Sequence, residues 1–537
     1  MYTSKQAKIQ SAHAFAQASR FEECLSACQS ILDSFPDDPN MLLDVGGLLL
    51  AYGFLSHASN CFERVYRLNA TDLRPLVNIA NLSREAGNHV ASKRLYAHLL
   101  ERIPQNAIIR RNALVSLEYD PNTSDLERFA AAKSWGTWAS TLAAEQLPCS
   151  IPVPLKGRPL RVGYVSADFC QHTVGLFIKD VLAAHNKDQV TPFLYSAGHV
   201  KDWVTAVIGK CGALREVATL DDVALAKLIR QDAVDVLVDL SGHTAGSRLT
   251  VFAHRPAPVQ VSWLGYFATT GLSDMDAVFL DAWHAPPGME QWFTEQIIRL
   301  PSGRFCYTPV PFAPEVAPSP HLINGYITFG CFNNTAKLND NVLTLWADVL
   351  KQVPGSRLIL KWRTFHDAGL RQTVLTKFQD LGVAPGRLDL RGPSFHADLL
   401  REYADIDIAL DPFPFTGGLT SCEALWMGVP VVTWPQNRVV SRQTFAFLSA
   451  IGLPELAAND ATEYVQIAIA LAKDNERRCL LREGLRQRMK TSQLCDVEGF
   501  TQSLEAVFHK LATVKCARIN VATAGDAIMT RDKTSVV

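Results

Sequence analysis

An excess of either charge is missing. The 537 residues hold 52 Lys and Arg against 53 Asp and Glu, a net charge of −1, so no broad cationic field draws nucleic acid or an anionic membrane. Paired cysteines are missing too. The 12 in the chain form no CxxC or CxxH spacing, which excludes the common zinc modules and a secreted disulfide scaffold and points to a reducing compartment. No uninterrupted stretch of about 18 apolar residues occurs, and the opening MYTSKQAKIQ lacks the basic-then-apolar order of a secretory leader. A cytoplasmic protein with neither nucleic acid nor membrane partners is expected. The dinucleotide fingerprint GxGxxG after the first strand and the P-loop are absent as well, which disfavours dehydrogenases and P-loop nucleotidases.

What is present is the composition of an ordinary folded protein, 48% hydrophobic and 20% charged, so intrinsic disorder is excluded. At roughly 150 residues per domain the length predicts three to four domains. Residues 5 to about 106 repeat with a period of 34: Gly53 falls over Gly87, Phe62 over Tyr96, Ala12 over Gly46 and Ala80, and Cys24 over Ala58 and Ser92. This is the tetratricopeptide pattern, in which small residues let paired helices approach, aromatics fill the seam, and proline, here Pro36 and Pro104, ends the second helix. The repeat domain is assigned to 1–138. It forms either a protein-binding groove or a brace for the domain after it.

After a proline-spaced linker at 148–154 the pattern changes to short apolar runs alternating with amphipathic stretches, the βαβ signature. Strands are predicted at Leu160 to Ser166, Val234 to Leu240, Pro258 to Leu264 and Asp276 to Asp281, with helices opening near Thr173 and before Val234. They build a first Rossmann-like lobe over 155–315. A proline-rich connection comes next. A second parallel sheet, in a lobe over 322–514, is predicted from Ile327 to Phe332, Arg357 to Trp362, Arg387 to Arg391, Ile406 to Asp411 and Pro430 to Trp434. The tail, 515–537, lacks apolar periodicity and is expected to be mobile. Two such lobes leave a cleft at the carboxyl ends of their strands, where ligands of open α/β sheets bind.

Chemistry concentrates in ALDPFPFTGGLTSCEALWMGVPVV. A strand ends at Asp411, a loop with Gly417 and Gly418 comes after it, and a helix opens near Leu419 whose free amides suit a diphosphate. Thr420 and Ser421 add hydroxyls. Glu423, placed in the first turn, suits the two hydroxyls of a ribose. The competing reading is a capping box in which Thr or Ser caps and Glu sits near the third position. Lys337 and Asn334, in FGCFNNTAKLND, lie just past a strand at the cleft edge, where an ammonium would neutralise a departing diphosphate. His172 lies just past the first strand of the other lobe and faces the same cleft. His243, Thr244, Gly265 and Tyr266 end strands of that lobe and either line a sugar pocket or form tight turns. Asp405-Ile-Asp407 spells a metal-gripping DxD, but it precedes its strand instead of ending it and is read as structural. No metal or other cofactor is expected.

These segments together resemble a known family, the tetratricopeptide-bearing O-GlcNAc transferases and SPINDLY-type proteins of glycosyltransferase family 41. RPAPVQVSWLGY, GYITFGCFNNTAKL, LDPFPFTGG and TSCEALWMGVPVVT carry the likeness. The resemblance implies a GT-B fold after helical repeats, and an inverting, metal-independent transferase holding a nucleotide sugar in its C-terminal lobe and moving GlcNAc from UDP-GlcNAc to Ser or Thr of protein acceptors. It implies that His172 is the active-site histidine, Lys337 the phosphate-contacting lysine, Asn334 the amide beside it and Glu423 the ribose carboxylate. The chain departs from the family in two places. Gly418-Leu419-Thr420 stands where relatives carry a run of threonines or His-Thr-Thr. Leu399 stands where an imidazole would stack on the base, with His396 nearby. Two alternatives stay open: a GDP-fucose-dependent SPINDLY-type fucosyltransferase, and a repeat scaffold with vestigial lobes.

Overall fold

The computed structural model describes residues 2–143 and 157–531, so the linker at 148–154 lies outside the described residues. The chain opens with helices α1 (Tyr2–Gln17), α2 (Phe21–Ser34), α3 (Pro39–Ala51), α4 (Leu55–Leu68), α5 (Arg74–Glu85), α6 (His89–Arg102), α7 (Ala107–Tyr119) and α8 (Asp125–Ala143), packed as antiparallel pairs. The 34-residue period is visible in the packing. Ala12, Ala58 and Ala80 are fully buried, and a Cβ on Gly46 would lie 2.6 Å from the Phe62 ring, so that helix contact needs glycine. The fourth pair, α7 and α8, lies beyond the three recognisable repeats and carries the chain onto the first lobe.

That lobe holds a seven-stranded, fully parallel sheet in the order β3-β2-β1-β4-β5-β6-β7. Its elements are β1 (Leu160–Ser166), α9 (Thr173–Ala183), β2 (Val190–Ser196), α10 (Trp203–Ile208), β3 (Ala213–Glu216), α11 (Asp222–Gln231), β4 (Val236–Asp239), α12 (Leu249–Phe252), β5 (Val259–Ser262), β6 (Ala277–Leu280) and β7 (Gln296–Arg299). β1, β4, β5 and β6 read as apolar runs because helices cover both faces of the sheet. β2, β3 and β7 were not among the sequence expectations. β2 carries Pro192, and β3 and β7 are four-residue edge strands with polar ends, so none has the pattern of a central strand.

The second lobe holds the sheet β10-β9-β8-β11-β12, also parallel. It comprises α13 (His321–Asn324), β8 (Thr328–Cys331), α14 (Asp340–Gln352), β9 (Arg357–Lys361), α15 (Ala368–Asp380), β10 (Leu388–Arg391), α16 (His396–Glu402), β11 (Ile408–Leu410), α17 (Leu419–Trp426), β12 (Val431–Val432), α18 (Gln443–Ala450), α19 (Ala461–Lys473), α20 (Asn475–Lys490) and α21 (Val497–Arg531). All five predicted strands are present within a residue or two. α21 returns to the first lobe, where Glu505 Oε1 pairs with buried His185 Nδ1 at 2.8 Å. The segment expected as a tail continues as helix through Arg531, and 532–537 lie outside the described residues. Among the described residues no helix is long and apolar enough to cross a membrane.

The repeats are fastened to both lobes. The α3–α4 turn meets the second lobe, where Phe54 stacks on His366 at 4.0 Å and the Ser56 amide and hydroxyl both donate to Asp367 at 2.8 Å. Gly53 and Gly87 have φ of +88° and +78°, and a Cβ on Gly87 would stand 2.6 Å from the Leu338 carbonyl, so these repeat-turn glycines serve the docking as well as the turn. α8 lies on the first lobe, with Gly136 against the Gly271 carbonyl and Trp135 edge-on to His243 at 4.4 Å.

Candidate active site

The loops leaving β1, β8, β10 and β11 meet across the lobes. β8 ends at Cys331, and Asn334 caps the single turn Thr335–Lys337 by accepting from the Ala336 amide at 2.9 Å. The amide that touches Lys337 is therefore Asn333, not the Asn334 expected from the sequence. Asn333 Oδ1 accepts from Lys337 Nζ at 2.8 Å and from Thr420 Oγ1 at 3.0 Å. Lys337 Nζ also donates to the Thr416 carbonyl at 2.9 Å and sits 4.5 Å over the Phe415 ring. Among the described residues no carboxylate forms an ion pair with it. Desolvation lowers its pKa to about 8, opposed by the negative Asp411. An ammonium held only by neutral oxygens, in a place where its charge is costly, is suited to an anionic ligand.

The anion geometry continues into α17. Gly418 is its N-cap and no side chain caps the helix. Among the described residues nothing accepts from the amides of Gly418, Leu419 or Thr420, and these three residues are half-buried. Glu423 is the fifth residue after the cap, two positions beyond the third that a capping box requires, so the capping-box reading fails. Two expected donors are diverted. The Gly417 amide donates to Asp411 Oδ1 at 2.7 Å, and the buried Ser421 hydroxyl pairs with Thr444 at 2.7 Å. Gly417 shapes the loop, since a Cβ there would collide with the Ser421 hydroxyl.

Glu423 is buried, and its Oε1 meets His396 Nε2 at 2.6 Å. His396 Nδ1 in turn meets Gln171 Nε2 of the first lobe at 3.2 Å. Gln171 was not singled out from the sequence, because nothing local marks a glutamine as a contact across lobes. Its neighbour His172 caps α9 through Nδ1, which accepts from the Val174 amide at 3.4 Å, with Asp168 Oδ1 at 3.6 Å. Its side chain is 48% exposed on the cleft side of β1. With Nδ1 accepting, Nε2 carries the proton and presents a donor.

Four expected pocket residues are placed elsewhere. His243 is 1% exposed, donates from Nε2 to the Thr270 carbonyl at 2.9 Å, and burial lowers its pKa to about 3. Tyr266 is buried against it at 5.0 Å. Thr244 Oγ1 donates to the Ser241 carbonyl at 2.8 Å, and Gly265 is pressed against the Leu240 carbonyl where a Cβ would not fit. These residues build tight turns, and the sequence of the turns alone could not announce that Trp135 of α8 covers His243. Asp405 and Asp407 are spent on protein partners. Asp405 takes Arg391 at 2.6 Å, and Asp407 takes the Ser319 hydroxyl at 2.6 Å and the Thr328 amide at 2.9 Å.

Two parallel-sheet lobes in series, an uncapped helix terminus and an unpaired lysine at the cleft, and a helix that returns from the second lobe to the first define a glycosyltransferase of the GT-B fold. The chain belongs to glycosyltransferase family 41, whose profile matches residues 142–308 and 319–504. It is 38% identical over 423 residues to a protein of Oryza sativa subsp. japonica named a probable UDP-N-acetylglucosamine–peptide N-acetylglucosaminyltransferase SPINDLY, covering 78% of this chain and 45% of that one. To the SEC protein of Arabidopsis thaliana, which carries the same enzyme name, it is 28% identical over 386 residues, covering 69% and 39%. The chain thus spans about half the length of the curated relatives it matches. A solved mutant of the Thermobaculum terrenum O-GlcNAc transferase superposes with a TM-score of 0.87 at 32% identity, covering 96% of this chain and 99% of that one.

Proposed function

We propose that this protein is an inverting, metal-independent O-glycosyltransferase that moves GlcNAc from UDP-GlcNAc to Ser or Thr hydroxyls of protein acceptors. The observation that carries the reading is Lys337, an unpaired ammonium joined through Asn333 to Thr420 at the free end of α17. In this reading the diphosphate lies on the amides of Gly418 to Thr420 with Lys337 beside it, and Glu423 takes the ribose. The acceptor oxygen bonds to the anomeric carbon on one face as the bond to the diphosphate oxygen breaks on the other. The electron pair leaves with the diphosphate, whose charge meets Lys337 and the helix terminus. His172 orients the acceptor hydroxyl through its Nε2 donor. The acceptor proton passes to His172 Nε2 once the ring's own proton has moved to Nδ1, where Asp168 Oδ1 lies 3.6 Å away. Acceptor proteins reach the cleft along the repeats.

The test is mass spectrometry of purified protein mixed with UDP-GlcNAc, GDP-fucose and host lysate. A mass gain of one N-acetylhexosamine on protein Ser or Thr is the expected product. Deoxyhexose in its place would replace the donor assignment with GDP-fucose, the alternative that the resemblance to SPINDLY-type proteins leaves open. A separate expectation concerns Glu423→Ala. It should raise the donor KM by about tenfold to a hundredfold, the range for losing hydrogen bonds to a charged group, with a smaller change in kcat. Steady-state kinetics with varied donor would count against the ribose role if KM stayed put.

A further inference from the structure

Lys337 is built against the helical repeats at both its base and its tip. Its turn, Thr335–Lys337, lies on the junction of α5 and α6, where Thr335 donates its hydroxyl to the Glu85 carbonyl at 2.7 Å. The Leu338 carbonyl comes within 2.6 Å of where a Cβ on Gly87 would lie, and buried His89 faces the Ala336 backbone. At the tip, the ammonium sits 4.5 Å over the Phe415 ring. Phe415 is buried, yet it stands outside the apolar core of its own lobe. Tyr119, the half-buried last residue of α7, stacks at a tilt on the Phe415 ring at 4.5 Å, and Phe267, in the loop after β5 of the first lobe, meets it edge-on at 4.5 Å. His89 backs Tyr119 at 6.2 Å. The Tyr119 hydroxyl lies within range of Arg84, Glu85 and Arg363, and what meets Phe415 is the ring.

We propose that Tyr119 is a positioning residue for Lys337, acting through Phe415, so that the repeat array completes the part of the cleft that meets the leaving diphosphate. The inference rests on the role given to Lys337 above and adds the residue outside its lobe that holds it in place. A lysine ends on a flexible four-carbon stem, so the place of its nitrogen is decided by what it rests on. Asn333 and the Thr416 carbonyl direct its hydrogens, and the Phe415 ring supplies the surface beneath. Among the described residues both aromatic partners of that ring lie outside its lobe, so removing the Tyr119 ring lets water in beside Phe415 and loosens the support. A misplacement of about 1 Å is enough to cost about a hundredfold in rate. The titratable groups facing Lys337 are Asp411, after β11, and Cys331, which ends β8. Neither belongs to the repeats, so a shift in the lysine's titration on replacing Tyr119 reports its solvation.

The experiment is a double-mutant cycle on the full chain, read as nucleoside diphosphate release from UDP-GlcNAc and from GDP-fucose across the alkaline range. Tyr119→Leu should lower kcat by about tenfold to a hundredfold. It should also move the alkaline limb of kcat/KM above about pH 8, because an ammonium that regains water keeps its proton to higher pH. Tyr119→Phe keeps the ring and should restore both values. In a Lys337→Ala background Tyr119→Leu should cost nothing further, whereas a loss that arises elsewhere in the fold would add to it. Should Tyr119→Leu fail to fold, Phe415→Leu, which removes the ring between the two, carries the same cycle with the same expected results. Turnover and limb unchanged, or full additivity with Lys337→Ala, would overturn the positioning role and leave the nucleotide-sugar reading standing. A parent that releases diphosphate from neither donor, or Lys337→Ala at the parental rate, would overturn that reading and the inference together.

Discussion

Lys337→Ala is expected to lower turnover by about a hundredfold to a thousandfold, the effect of removing one charge-stabilising donor from a leaving group, while thermal unfolding stays close to the parent. The side chain is unusual in its surroundings. Its partners are an amide oxygen and a carbonyl, its nearest ring is Phe415, and burial has brought its pKa to about 8. The charged form therefore predominates below about pH 8, and charge assistance is lost as pH rises through that value. A bound diphosphate favours the ammonium, so the alkaline limb of kcat should lie at higher pH than that of kcat/KM. Lys337→Arg keeps the charge at all these pH values and should abolish the limb, at reduced rate because the planar fork does not fit a site shaped for a compact ammonium. Turnover and alkaline limb both unchanged in Lys337→Ala would remove the lysine from the chemistry.

The largest structural effect is expected at Gly136. α8 approaches the first lobe so closely that a Cβ on Gly136 would enter the Gly271 carbonyl, and Gly271, at φ +75°, has the Ala132 carbonyl where its own Cβ would go. Both obstacles are backbone, so neither helix nor loop can yield by a rotamer change. Gly136→Ala should cost about 2 to 4 kcal/mol, at the upper end for overpacking a core. Gly47→Ala is the control, since it lies inside α3 with nothing within 4 Å of the added methyl. It should be neutral or stabilise by up to about 1 kcal/mol through helix propensity. Differential scanning calorimetry of the two variants separates them. Equal melting profiles would mean that α8 is not seated on the lobe as described.

The parts of this fold that could be read in advance are those where local pattern and tertiary role agree. Leu160 to Ser166 is a strand to the residue because a central parallel strand must be apolar on both faces, and the 34-residue register of Ala12, Gly46 and Ala80 is imposed by helix contact within each repeat. Reading stopped where the deciding partner is distant. In the Asn333-Asn334 pair both residues look alike, and only the capping demand of the turn before Lys337 sends the second to the backbone and the first to the lysine. Ser421 looks like a phosphate donor until Thr444 claims it. His243 looks like a loop histidine until Trp135, more than a hundred residues earlier, covers it.

The seating of the helical array has a consequence for movement. α3 to α6 are pinned to the lobe bearing Lys337 through Ser56, Glu85 and Gly87, including a bond from Thr335, the first residue of the lysine turn, to the Glu85 carbonyl at 2.7 Å. α8 is locked to the opposite lobe at Gly136, and Arg438 reaches back to the α7–α8 junction at Thr123 with 3.0 Å. The array is thus a splint across the hinge. It restricts wide swinging of one half against the other, because that motion would break the contacts at Ser56, Glu85 and Gly136 together.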